Sequence, residues 1–193
     1  GTGFINYSDA DGKFFKRNME FCAVRGELTR KNVERMTGKK MDIPMADAGI
    51  LASELLKERP EVCYDVGVVP HLCDLKDPAV EKLLASYDNA KFINVKDDPL
   101  QVVKEIAECR YIISSSLHGL IVADSLGIPN MYLVFGDRLL GDGYKFEDYY
   151  SAYGVEAQPR DLRTEKAPEL TEIEEQYQIL PEMVEEKKRQ PHV

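Results

Sequence analysis

Short apolar runs alternate along the chain with segments whose apolar residues recur at helical spacing. Each run is almost continuously apolar, as expected for a strand that is covered on both faces of its sheet. Alternation of such strands with helices is typical of βαβ units and of a parallel sheet. The sequence therefore predicts an α/β fold: a Rossmann-like parallel sheet with flanking helices. The predicted strands are Phe21–Val24, Tyr64–Val69, Lys91–Val95, Tyr111–Ser114 and Met131–Phe135.

Several helices are marked by start and stop signals. Asp77-Pro78 and Asp98-Pro99 each combine an N-cap residue with a proline at the first helical position. The apolar residues that follow are spaced three and four apart, so each helix is expected to lay one face on the sheet. Leu117–Leu126 is apolar almost all round and is therefore predicted to be a buried helix, which Gly127 ends.

The composition changes near residue 159. Upstream, strands and helices alternate, and downstream glutamate predominates over lysine and arginine. We therefore predict a Rossmann-like domain over residues 1–158 and an acidic C-terminal helical extension over residues 159–193. Pro181 is expected to kink or split the helix of this extension.

Charge and composition exclude several classes of function. The chain has 193 residues and a net charge of −9, which disfavours a nucleic-acid partner. No apolar run approaches the roughly 20 residues of a membrane span, and the first residues do not resemble a secretory leader. The four cysteines form no C-x-x-C pair and are interpreted as buried free thiols of a reducing compartment. We therefore expect a cytoplasmic protein without a transmembrane segment and without a metal site.

Candidate chemistry lies just past the predicted strands. In an open parallel sheet, ligands bind beyond the carboxyl ends of the strands. Arg25, His71 and His118 each follow a predicted strand. A structural role for each of these residues, as a buried histidine or an ion-paired arginine, stays open.

The segment from Tyr111 to Leu120 is the most informative, because a strand runs through three serines into a helix. Free backbone N–H groups and the helix dipole at such a helix N-terminus favour an anion, and Ser114, Ser115 and Ser116 can add hydroxyl donors. An ordinary serine N-cap is the alternative. The glycine-rich segment 136–145 brings Arg138 and Lys145, as a further part of the ligand edge or as a surface loop.

These residues resemble the polysaccharide pyruvyl transferase family. The resemblance covers about residues 1–154, and its parts occur in the family's order and spacing. They are Val24–Thr29, Ala46–Leu51, Gly67–His71, Ser114–Pro129 and Lys145–Tyr150. Members of this family transfer the enolpyruvyl group of phosphoenolpyruvate to a sugar and form a pyruvate ketal. Their architecture resembles that of GT-B glycosyltransferases, in which two Rossmann-like domains face each other across a cleft.

The resemblance also implies roles for particular residues. Arg25, Leu117 and His118 would contact phosphoenolpyruvate, with Arg25 and His118 as the catalytic pair. His118 would act either as general acid or only as a phosphate ligand. The other predicted substrate-binding residues are Ser114, Ser115, Ser116, His71 and Lys145. This chemistry requires no metal or organic cofactor, and its partners are phosphoenolpyruvate and a sugar or glycan acceptor.

Two alternatives stay open at this stage. Because family members are longer and Gly1–Phe4 resembles an internal segment, we expect the chain to be the phosphoenolpyruvate-binding half of a transferase. The first alternative is a nucleotide-sugar-dependent glycosyltransferase of GT-B type. The second is a non-catalytic truncated half-domain. The acceptor sugar, its linkage and the formation of a homo-oligomer are left open.

Overall fold

The computed structural model describes residues 3–6, 19–138 and 141–190. Residues 139–140 of the glycine-rich segment considered above lie outside the described residues. The helices are α1 Glu27–Thr37, α2 Pro78–Leu84, α3 Pro99–Ala107, α4 Leu117–Ser125, α5 Tyr144–Ser151, α6 Leu170–Gln176 and α7 Pro181–Lys188, with a 3-10 helix at Ala48–Leu55. The strands are β1 Tyr64–Val69, β2 Ala90–Phe92, β3 Cys109–Ser114, β4 Asn130–Val134 and β5 Arg160–Asp161.

The chain forms two compact units, which are described separately. The first comprises Gly1–Ala48, Leu139–Ala157 and Glu182–Val193, and the second comprises Gly49–Arg138 and Gln158–Pro181. All the strands of the sheet belong to the second unit. The boundary after residue 158, expected from the composition, stays a prediction.

The second unit is built on a five-stranded sheet in the order β2-β1-β3-β4-β5, and every neighbouring pair is parallel. This confirms the predicted α/β, Rossmann-like arrangement with flanking helices. The chain moves outward from β1 to β2 and then returns to the other side of β1 as β3. The reversal of strand order therefore falls between β1 and β3, which is where ligands bind in open sheets of this kind. The GT-B architecture stays a prediction.

Both faces of this sheet are covered, which explains the continuous apolar runs. On one face, alternate strand residues such as Val66, Val68 and Ile113 pack with Leu83 of α2 and Ile173 of α6. On the other face, Val69 and Ile112 pack with Ile106 of α3 and Ala123 of α4. A strand that buries both faces has no polar alternation, and this is the pattern from which β1, β3 and β4 are predicted.

The predicted helix signals are confirmed. The carboxylates of Asp77 and Asp98 accept backbone N–H bonds at the starts of α2 and α3, each followed by its proline. Gly127 follows α4 with a positive φ of 65°, a backbone conformation that favours glycine. Pro181 begins α7, so the predicted C-terminal helix is split into α6 and α7.

The first unit contains α1, α5 and all but the first residue of α7. The predicted strand at Phe21–Val24 is wrong: Val24 forms an isolated parallel bridge with Met45, and residues 21–23 lie outside any strand. The run is apolar, but only its last residue is buried, and among the described residues no longer strand pairs with it. An apolar run forms a strand only where a neighbouring strand supplies partners for its backbone hydrogen bonds.

The cysteines are all free, as predicted, but they are not all buried. Cys109 is buried and Cys73 is partly buried, whereas Cys22 and Cys63 are exposed. The prediction of buried thiols is therefore wrong for Cys22, which lies within the run Phe21–Val24, and for Cys63, which directly precedes β1. Within the described ranges, no helix combines the length and the apolar composition needed to cross a membrane.

Candidate functional site

The candidate site of the second unit lies where β1 and β3 end side by side. Val69, the last residue of β1, is in register with Ser114, the last residue of β3. The chain segments that leave these two strands are joined directly, because the backbone N–H of His71 donates to Ser115 Oγ at 2.9 Å. The structure thus brings His71 and the three serines to the same edge of the sheet, at its reversal of strand order.

Two of the three serine hydroxyls are committed to the protein itself. Ser114 Oγ accepts the N–H of Ser116 at 3.0 Å and lies 2.7 Å from the carbonyl oxygen of Val69. Ser115 Oγ donates to a carboxylate oxygen of Asp74 at 2.7 Å. The Ser116 side chain has no hydrogen bond to any residue in the described part of the chain, although only 7% of the residue is exposed. Ser116 is therefore the serine whose hydroxyl is available to a ligand.

The N-terminus of α4 adds further donors. The carbonyl oxygen of Ser116, the N-cap residue, accepts the N–H groups of Gly119 and Leu120. The N–H groups of Leu117 and His118 have no acceptor among the described residues. Unsatisfied N–H groups together with the helix dipole favour an anion at this position.

His118 is the exposed group at this helix start. Its side chain makes no hydrogen bond or ion pair with the described residues, while Leu117 beside it is buried. An imidazole that has no partner among the described residues can bind an anion or transfer a proton. The structure therefore places a titratable side chain beside the free N–H groups.

Gly119 explains how the turn fits against the end of β1. A Cβ atom at this position would lie 2.4 Å from Ser114 Oγ and 2.9 Å from a methyl carbon of Val69. Only a residue without a side chain lets the first turn of α4 approach these atoms. The Leu-His-Gly sequence thus combines a buried anchor, an exposed imidazole and a close backbone approach.

An ion-pair cluster borders the serines. Asp74 is only 2% exposed, and one of its carboxylate oxygens lies 3.7 Å from an Nη of Arg138, which follows β4. Arg138 also pairs with Asp77, the N-cap of α2. The guanidinium side chain is half exposed, so it is a cation that a bound anion can reach.

His71 contacts a thiol as well as the serine turn, which is Ser114–Ser116. Its Nδ1 lies 3.0 Å from Sγ of Cys73, and that sulfur lies 3.6 Å from Asp74 Oδ1. Burial, followed by the nearby Asp74 carboxylate, raises the pKa of the Cys73 thiol. Cys73 is therefore a neutral thiol near pH 7 rather than a nucleophilic thiolate.

In the first unit, Arg25 is held by a buried carboxylate. Its Nε donates to Asp148 Oδ2 at 2.9 Å, and one Nη donates to the carbonyl oxygen of Phe4 at 2.6 Å. Asp148 is completely buried and also accepts from the backbone N–H and the hydroxyl of Thr29. Gly26 is required beside this network, because a Cβ there would lie 1.6 Å from the carbonyl oxygen of Asp148.

The predicted site residues thus fall into two groups. His71, the three serines, Leu117 and His118 lie together in the second unit, whereas Arg25 and Lys145 belong to the first, with Lys145 in the first turn of α5. Neither Asp74 nor Asp148 was among the site residues predicted from the sequence. Asp74 could have been found because it follows β1 closely, and Asp148 because it lies within the segment Lys145–Tyr150.

Among the described residues, no group of three or more His, Cys, Asp or Glu side chains is arranged to hold a metal ion. The groups that the described part of the candidate site offers to a ligand are N–H donors, one hydroxyl, an imidazole and a guanidinium.

Comparison with known proteins connects this geometry with a family. The sequence model of the polysaccharide pyruvyl transferase family matches residues 3–135. The uncharacterized protein L143 of Acanthamoeba polyphaga mimivirus is 34% identical over 161 residues, which are 81% of this chain and 54% of that protein. The succinoglycan biosynthesis protein ExoV of Rhizobium meliloti (strain 1021) is 23% identical over 164 residues, 83% of this chain and 48% of ExoV.

These comparisons also define the extent of the likeness. The chain spans about half the length of the curated relatives that it matches. No solved structure matches it. The matched residues 3–135 include β1, β3, the serine turn and the start of α4, so the family match covers the candidate site of the second unit except for Arg138. The chain therefore belongs to the polysaccharide pyruvyl transferase family.

Proposed function

We propose that the chain binds phosphoenolpyruvate as the donor of a transferase that moves its pyruvyl group to a sugar and forms a pyruvate ketal. The observation that carries the proposal is the start of α4. There, free N–H groups, the Ser116 hydroxyl and the exposed imidazole of His118 lie at the strand-order reversal of the sheet. Family membership makes pyruvyl transfer the reaction to which this geometry is assigned.

Phosphoenolpyruvate suits the site because it carries two anionic groups on a small frame. Its phosphate would accept from the N–H groups of Leu117 and His118 and from the Ser116 hydroxyl. Arg138 would neutralise part of the remaining charge, since its guanidinium can form paired bonds with phosphate or carboxylate oxygens. In a chain with a net charge of −9, a local cluster of donors is needed to bind such an anion.

His118 would supply the proton that starts the reaction. Protonation of the methylene carbon generates positive charge at C2, which the oxygen of a sugar hydroxyl attacks as that hydroxyl loses its proton. The bond between C2 and the phosphate oxygen then breaks, phosphate leaves, and a second hydroxyl closes the ketal and releases another proton. A general acid of this kind contributes about 10²–10⁴-fold to the rate.

The remaining parts of the proposal depend on the relatives. The name of ExoV concerns succinoglycan biosynthesis, which supports a glycan or its precursor as acceptor. Because the chain spans about half of its relatives, the complete transfer reaction is proposed for the family architecture as a whole. Contacts of Arg25 and Lys145 with the donor, and a cytoplasmic location, stay predictions.

Calorimetric titration of the chain with phosphoenolpyruvate tests the proposal. We expect Ser116→Ala to weaken binding about tenfold or more, since a hydrogen bond to a charged group contributes about 1.5–3 kcal/mol. Gln101→Ala is the matched control, an exposed residue in the first turn of α3, and should bind like the native chain. Titration with a nucleoside diphosphate provides the second arm. Binding of that ligand and not of phosphoenolpyruvate would overturn the proposal in favour of a glycosyltransferase.

A further inference from the structure

We propose that Asp74 is the positioning residue of this donor site: its buried carboxylate fixes the serine turn and holds Arg138 at the same edge. This inference rests on the proposed function, because it assigns Asp74 a role in binding phosphoenolpyruvate. Asp74 lies on the segment between β1 and α2, and its contacts reach the segments that follow β3 and β4. One side chain thus connects three segments that leave the carboxyl edge of the sheet.

The burial of Asp74 requires a reason. A carboxylate that is only 2% exposed loses most of its hydration, which is unfavourable unless partners replace the water. Its partners are the hydroxyl of Ser115 at 2.7 Å, the thiol of Cys73 at 3.6 Å and the guanidinium of Arg138 at 3.7 Å. All three belong to segments at the candidate site, so the carboxylate replaces its lost hydration with site residues.

Ser115 connects Asp74 with the hydrogen-bond donors at the start of α4. Its hydroxyl donates to Asp74 and accepts from the backbone N–H of His71, so its position is determined from two sides. Ser115 is completely buried and directly precedes Ser116, the residue with the available hydroxyl. A displacement of Ser115 would therefore move Ser116 and the adjoining N–H groups of α4 relative to a bound anion.

Arg138 is held in a different way. It is half exposed, follows β4, and contacts both Asp74 and Asp77. The carboxylate of Asp77 also accepts the backbone N–H of Ala79 at 2.8 Å as the N-cap of α2. Asp77 thus shares the contact with Arg138 but makes no hydrogen bond to Ser115, and this makes it a matched control for Asp74.

Asp74 acts through these neighbours and not on the reacting atoms. Its two oxygens are engaged by Ser115 on one side and by Cys73 and Arg138 on the other. A carboxylate so buried is no direct ligand for an anionic donor, which it would repel. The expected effect of changing Asp74 therefore appears in the binding of phosphoenolpyruvate and in the environment of the α4 amides.

The experiment compares Asp74→Asn with Asp77→Asn and Ser115→Ala in calorimetric titrations with phosphoenolpyruvate. Unfolding curves first establish a temperature at which every variant is folded. We expect Asp74→Asn and Ser115→Ala each to weaken binding at least tenfold and Asp77→Asn less than threefold. Asp74 and Ser115 act on the serine turn through the hydrogen bond between them. The double variant Asp74→Asn, Ser115→Ala should therefore bind phosphoenolpyruvate within about threefold of the single variant that binds it more weakly.

An amide spectrum provides the readout that a merely structural role would leave unchanged. Saturating phosphoenolpyruvate should shift the backbone amide signals of Leu117 and His118 in the native chain and in Asp77→Asn. In Asp74→Asn, at equal saturation, these shifts should be lost. Ser115→Ala, which keeps the carboxylate, serves as the second variant if Asp74→Asn fails to fold.

The outcomes separate this inference from the function on which it rests. No binding of phosphoenolpyruvate to the native chain would overturn the proposed function, and the inference with it. Native binding that Asp74→Asn retains, equal losses in Asp77→Asn and Asp74→Asn, or a fully additive double variant would overturn the role of Asp74 alone.

Discussion

Each of the two units contains a buried aspartate that is paired with an arginine, but the two pairs differ in their exposure to water. In the first unit, the side chains of Arg25 and Asp148 are 9% and 0% exposed. In the second unit, the side chain of Asp74 is 3% exposed and that of Arg138 is 50% exposed. A pair that is buried on both sides is part of the packing of its unit. A pair with one exposed cation leaves that cation available to a ligand, so the same two residue types serve different purposes.

The largest expected effect follows from this difference. Arg25→Ala leaves the completely buried Asp148 without its cation, and we expect the free energy of unfolding to fall by about 3–5 kcal/mol. Arg138→Ala is the matched change in the second unit and should cost at most about 1 kcal/mol, because the half-exposed guanidinium lies 3.7 Å from Asp74, whose carboxylate keeps its hydrogen bond from Ser115. Urea unfolding followed by circular dichroism measures both. Equal losses would show that burial does not distinguish the two pairs.

The next prediction concerns the backbone beside the first pair. Gly26→Ala introduces a Cβ only 1.6 Å from the carbonyl oxygen of Asp148, so the backbone must move. We expect a loss of about 3 kcal/mol in the free energy of unfolding. Gly136→Ala is the control, since no heavy atom of the described residues, apart from its chain neighbours, lies within 4 Å of the added carbon. If the two variants unfold at the same urea concentration, the close approach of Gly26 to Asp148 does not exist in solution.

The corresponding glycine of the second unit should have a smaller effect. Gly119→Ala brings a Cβ to 2.4 Å from Ser114 Oγ, which is a side-chain atom. We expect a loss of about 1–3 kcal/mol, although alanine in a helix is ordinarily favoured over glycine by about 1 kcal/mol. Thermal or urea unfolding of Gly119→Ala and of the double variant with Ser114→Ala tests the cause. The double variant should recover part of the loss, and no recovery would contradict the assigned contact.

The smallest expected effect is a pH dependence at Cys109 in the core of the second unit. Burial raises the pKa of this thiol to about 12, compared with about 8.5 in an unfolded chain. Above about pH 8.5 unfolding therefore releases a proton, and the free energy of unfolding falls as the pH rises towards the folded pKa. Below about pH 8.5 the thiol is protonated in both states and has no effect on stability. Between pH 8 and pH 9.5 this thiol should lower the free energy of unfolding by about 1 kcal/mol.

Urea unfolding of the native chain and of Cys109→Val at both pH values measures this contribution. The difference in stability between the two proteins should change by that amount, because all other titrating groups are common to both. A constant difference would mean that Cys109 ionises as readily in the folded chain as in the unfolded one.

The sheet was predictable because its central strands leave a strong signal. β1, β3 and β4 are buried over most of their length and are therefore largely apolar, and the aspartate-proline pairs mark the starts of α2 and α3. The strand β5 at Arg160–Asp161 carries no such signal, since it joins β4 through backbone pairing alone. Phe21–Val24 shows the opposite failure, because an apolar run lacking a partner strand forms only one bridge.

The candidate site was predictable in its position but not in its details. The rule that ligands bind beyond the carboxyl ends of parallel strands leads to His71, His118 and the serines from sequence alone. It does not distinguish the serine with the available hydroxyl, Ser116, from the two that serve the protein. That distinction depends on Val69 and Asp74, which are far from the serines along the chain.

The sequence by itself determined where the central strands β1, β3 and β4 lie, where α2 and α3 begin, and which residues follow those strands. Those properties are local, because backbone preferences and apolar spacing act over a few neighbouring residues. Only the tertiary structure decided which carboxylate meets which cation. Asp148 and Arg25 are separated by 123 positions in the chain, and Ser115 and Asp74 by 41. Such pairs form because a charge that packing buries is unfavourable unless a partner is close to it. The partner can be far away along the chain, so no local sequence pattern indicates which residue it is.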